Sequence, residues 1–284
     1  MLSLDGGRAS ALEAVDLRLA DVNVRIAAPH PLARQIDLVL AGVPRFDEGR
    51  TPELTIVAAM RDDAWEITGD DGSRKVLAAT SAVPHVIGAA IASAVHGVAA
   101  ARGLVPMRAT VIARDGRALA MIGDDWESAI GLATHLHGRG WAYVGADHAL
   151  FDPQTHTAYG VGKSLYVNAS SISEMPLRYR RAVEASPWYV TPQGIAFYAV
   201  DPRAAGMAQT WLASAPLRGV VVVDGAMDDT PSLEAVDAKR RADERLARFD
   251  LDWSQVALAD VRIGGFVETC DVLEHWFETT ARSC

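Results

Sequence analysis

Two cysteines, Cys270 and Cys284, are all that the 284 residues contain. That excludes a disulfide framework and a four-cysteine zinc site, and it suits a cytoplasmic protein with free thiols. Basic residues are also in deficit, 27 against 36 acidic, for a formal charge of −9. A nucleic-acid surface and an anionic membrane both select the opposite balance, so neither partner is expected. The first residues, Met1 to Arg8, lack a basic segment followed by an apolar run, so secretion is not expected. The longest apolar segment, Val83 to Ala101, contains Pro84, His85 and His96 and is rich in alanine, so it reads as a buried helix and not as a membrane span.

Half of the residues are hydrophobic and 22% are charged, enough apolar content for a sizeable core. Alternation of apolar and polar residues predicts strands at Val15–Leu19, Val22–Ile26, Ile36–Val43 and Leu54–Met60, and a hairpin around Gly69-Asp-Asp-Gly72. These would form a half-buried antiparallel sheet, followed by a helix from Pro84 to Arg102 capped by Gly103. From Met107 onward, strands alternate with a helix on short turns, the pattern of an α/β core. The unbroken run Gly219-Val-Val-Val-Val223 predicts a strand buried on both faces. Thr230-Pro231 is a good start for a helix reaching Arg248, with a charged face self-paired at i,i+4 spacing. The expected organisation is therefore an N-terminal β-rich subdomain over 1–103 and an α/β core with a mixed sheet over 104–284.

One absence bears directly on function. Arg117–Ile122 reads as a buried strand and Glu127–His137 as the helix after it, the setting in which a glycine-rich loop ending in Lys-Ser/Thr would surround a polyphosphate. Here the connection is Gly123-Asp124-Asp125-Trp126-Glu127-Ser128. A helix N-terminus attracts anions until carboxylates neutralise it, and Asp124, Asp125 and Glu127 are placed to do so. Ordinary capping accounts for such residues equally well.

The segments Leu104–Gly123, Gly140–Pro153 and Gly162–Val167 resemble the HPr kinase/phosphorylase-like family, which shares its fold with phosphoenolpyruvate carboxykinase. The resemblance implies a core of that fold and an ancestral activity, transfer of a phosphoryl group from ATP with magnesium to hydroxyls of proteins or peptides. The departures fall on the chemistry. Arg108 stands where the family has His, the loop Asp124–Ser128 replaces the glycine-lysine loop, and Gly145-Ala146-Asp147 replaces Ser-Asp-Asp. Gly123, Gly140, Trp141, Asp152, Pro153 and Lys163 remain. What the resemblance implies is thus a pseudokinase, a binding or scaffold protein that takes no nucleotide cofactor through a P-loop, in a peptide-modifying natural-product pathway. The alternative is an atypical phosphotransferase, or another transferase or lyase, that reuses the cleft with Asp147, Arg108 and Lys163 as working residues.

Other residues carry two readings each. Trp126 would anchor a peptide, or with the turn residues Asp124, Asp125, Glu127 and Ser128 bind a cationic small molecule, or plug the space a nucleotide would occupy. Arg178, Arg180 and Arg181 follow a serine-rich turn and suit an acidic peptide or a phosphate, or simply a paired surface. Asp147-His148 invites a metal, but His135 and His137 lie two apart on a helix and face different sides, so no metal site is expected. Ser128, Ser164 and Ser170 lack the surroundings of a nucleophile. A protein or peptide is the expected partner, with a small molecule as the other option.

Overall fold

The computed structural model describes residues 11–40, 42–47, 49–81, 83–123, 126–163, 165–175, 177–190, 196–200, 212–227, 230–236 and 253–280. They fall into two compact units, one holding the residues up to Val39 with Pro44–Val98, the other Leu40–Val43 with those from Ala99 onward.

In the first unit, strands β1 (Leu12–Leu19), β2 (Val22–Pro29), β3 (Leu54–Arg61), β4 (Ala64–Gly69) and β5 (Arg74–Ala78) form one sheet in that order. Alternate residues of β2 and β3 (Val22, Val24, Ile26; Leu54, Ile56, Ala58) are buried, so one face carries the core. Two expectations are corrected here. Residues 36–39 belong to helix α1 (His30–Val39), because Leu32, Ala33, Ile36 and Val39 make a buried stripe at helical spacing. A short window around Ile36 matches alternation as well, and the longer helical stripe decides. The sheet is also mixed rather than antiparallel: the α1 crossover brings β3 in parallel to β2.

Helix α2 (Val83–Arg102) begins in this unit, and Gly103 follows it at φ +65°. Among the described residues α2 is the one helix long and apolar enough to cross a membrane, and 56% of its most apolar window is buried inside the protein. Its residue Gly97 lies so close to Leu54 of β3 that a Cβ would displace the leucine.

The second unit is built on a nine-stranded sheet. Its strands are β6 (Val105–Met107), β7 (Thr110–Arg114), β8 (Arg117–Ile122), β9 (Ala142–Gly145), β10 (Ala149–Asp152), β11 (Thr157–Gly160), β15 (Ser214–Met227), β16 (Ser232–Val236) and β17 (Ala257–Ile263). Strands β8, β15 and β17 run parallel, with β15 central. Alternate residues of β8 and β15 enter different cores. Leu119, Met121, Val221 and Val223 pack with helices α3 (Trp126–Gly138) and α5 (Phe266–Thr280), while Ala118, Ala120, Ile122, Val220 and Val222 pack with Phe151 and Leu258. Burial on both faces explains the unbroken valine run.

A small sheet of β12 (Leu165–Asn168), β14 (Ala196–Val200) and β13 (Trp188–Val190) sits beside helix α4 (Leu177–Glu184). The helix expected from Thr230 is corrected over its described part. Residues 232–236 are strand β16, antiparallel to β17, because pairing with an open sheet edge outweighs local start signals. The i,i+4 pairs expected further along that helix lie outside the described residues.

The α3–α5 side is tied by charge as well as packing. Glu274 accepts hydrogen bonds from Trp141 Nε1 (2.8 Å), Arg114 (2.9 Å) and Arg139 (2.9 Å), and Arg139 also donates to Val267 O. Trp141 is fully buried, so its indole N–H needs that partner.

Candidate functional site

The site begins where β8 ends. Gly123 passes so close to the carbonyl of Val223 on β15 that a Cβ would overlap that oxygen, so the strand exit is tight before any loop chemistry is considered. Helix α3 then starts at Trp126. Asp124 and Asp125 lie outside the described residues, as does the side chain of Trp126. Glu127 is half-buried in the first turn, and Ser128 is buried behind it.

Beside this junction, β9 pairs antiparallel with β7, with Gly145 opposite Val111. Continuing that register carries Asp147 alongside Ala109 and Arg108, which precede β7. The chain turns sharply there: His148 N–H donates to Ala146 O at 2.6 Å across Asp147, whose φ is +61°. This is a γ-turn of the rare positive-φ kind, a conformation costing about 1–3 kcal/mol for a residue with a Cβ.

A third segment is delivered by β11. Gly160 crosses β9 so closely that a Cβ would overlap Val144 O, and Gly145 is less tightly bounded by His148 O, Val161 N and Gly160 Cα. Only this bare-backbone crossing lets Val161-Gly162-Lys163 fold back over Asp147. Lys163 N–H donates to Val161 O at 2.6 Å, a second three-residue turn.

The result is one ionic cluster from three segments. Lys163 Nζ donates to Asp147 Oδ2 at 2.8 Å, Arg108 Nε donates to Oδ1 at 3.3 Å, and His148 Nε2 lies 3.7 Å from Oδ2. Lys163 is buried and Asp147 nearly so, with 19% of its side chain exposed, while Arg108 is 59% exposed. Burial by itself pushes the Asp147 carboxyl up. The charge of Lys163, that of His148, the Lys163 hydrogen bond and the charge of Arg108 together outweigh it and hold the group at about 2. A shallow cleft opens against this cluster, bounded by Arg108, Thr110, Met121, Gly123, Ala129 and Asp147.

Arg108, Asp147 and Lys163 are thus brought together, and the other candidates are not part of the group. The two histidines of α3 are built into the core: His135 stacks on Phe266 at 5.0 Å, and His137 pairs with Trp141 O at 2.8 Å and meets Tyr179 edge-on. Arg180 donates from Nη2 to the carbonyls of Ser173 and Met175, closing the turn before α4. Arg181 is exposed, and the Arg178 side chain lies outside the described residues. Among the described residues no group of three His, Cys, Asp or Glu side chains could hold a metal ion. The residues that sequence reasoning passed over are Gly145 and Gly160, whose role is to admit the crossing. Their signal is present only as Gly-Ala-Asp and Gly-Val-Gly-Lys, short glycine patterns beside charged residues.

No family model matches the chain, and no curated protein matches it. Among solved structures, the Hpr(Ser) kinase/phosphatase from Coxiella burnetii is similar over 61% of this chain and 97% of that one, at 12% identity and a TM-score of 0.33.

Proposed function

We propose that this chain is an HPr-kinase-like pseudokinase: a non-catalytic binding or scaffold protein that does not hold ATP through a P-loop, acts in the cytoplasm, and presents its cleft to a protein or peptide partner. A peptide-modifying natural-product pathway is the setting this reading suggests. The observation that carries it is the clamp on Asp147. A general base works best with a pKa near the operating pH, and a carboxyl held at about 2 by Lys163, His148 and Arg108 is a weak proton acceptor at neutrality. Lys163 donates to the same carboxylate at 2.8 Å. The sequence Asp124-Asp125-Trp126-Glu127, standing where a lysine-bearing loop would be, supports the reading independently.

The test is Mg·ATP binding by calorimetry and thermal shift. Ligand at a hundred times its dissociation constant stabilises a protein by about 2.7 kcal/mol, so a true nucleotide site would be plain. No heat and no shift are expected; a saturable shift would overturn the reading.

One observation favours the enzymatic alternative. Strain at a positive-φ aspartate beside two cations is the kind of arrangement found at active sites. On that alternative, an atypical transferase or lyase, Asp147→Asn would abolish turnover of a peptide or small-molecule substrate in a protein that still folds.

A further inference from the structure

We draw no further inference here: the strongest candidate, the surface patch around the exposed Trp188 on β13, the edge strand of the small β12–β14–β13 sheet, carries nothing because nothing in the structure shows what covers it.

Discussion

Replacing Lys163 by Met removes the principal partner of a mostly buried carboxylate while keeping the stem that fills the crossing. The gross attraction across 2.8 Å is about 6 kcal/mol at an effective dielectric of about 20, but desolvation of both groups offsets most of it. A better measure is the carboxyl itself, held at about 2 against an ordinary 3.8. That difference amounts to about 2.5 kcal/mol net of the opposing cost of burial, since each pKa unit is about 1.4 kcal/mol. Lys163→Met is therefore expected to lower stability at pH 7 by about 2–4 kcal/mol, the lost attraction plus the burial of a poorly paired charge.

The sign of the pH dependence discriminates further. In the wild type the folded pKa of Asp147 is depressed, so its contribution is complete above about pH 5 and is lost as pH falls through about 2. In Lys163→Met, burial is opposed only by His148 and Arg108, so the carboxyl rises from about 2 and less stability is lost on acidification than in the wild type. Urea unfolding followed by tryptophan fluorescence at pH 7, 5 and 4, together with Asp147→Asn and the double variant, measures both effects and the coupling between the residues. A cost under about 0.5 kcal/mol with an unchanged pH slope would show that the pair is not the clamp described.

Two further outcomes follow from the packing. Gly160→Ala places a methyl group on Val144 O, so it should cost about 3 kcal/mol or more; a melting temperature equal to wild type would show that the strands can separate without penalty. Glu274→Gln leaves an acceptor for Trp141 Nε1 but removes the charge shared by Arg114 and Arg139, and should cost about 1.5–3 kcal/mol in thermal melts.

How much of this was legible in the chain differs by element. The strand–turn–helix of β8 and α3 could be read from Arg117–Ile122 and the helix start beyond Gly123, since local periodicity and turn chemistry agree there. The buried strand at Val220–Val223 was legible for the same reason: a residue run apolar on both faces has few other places to go. At Ile36 and at Ser232 local signals pointed the wrong way. A short stripe fits two periods, and the partner that decides, the open edge of β17 for β16, is distant in the chain.

What the amino-acid sequence alone determined is the absence of a lysine-bearing phosphate loop and the acidic character of what replaces it, because both are matters of composition at a few adjacent positions. The meeting of Arg108, Asp147 and Lys163 was decided by tertiary structure. The residues lie 39 and 16 positions apart, and contact depends on the β7–β9 register and on the passage of Gly160 over Val144. The charge state of Asp147 follows from that meeting, since burial and the neighbouring charges of Lys163, His148 and Arg108 act in opposite directions and only the distances decide which prevails.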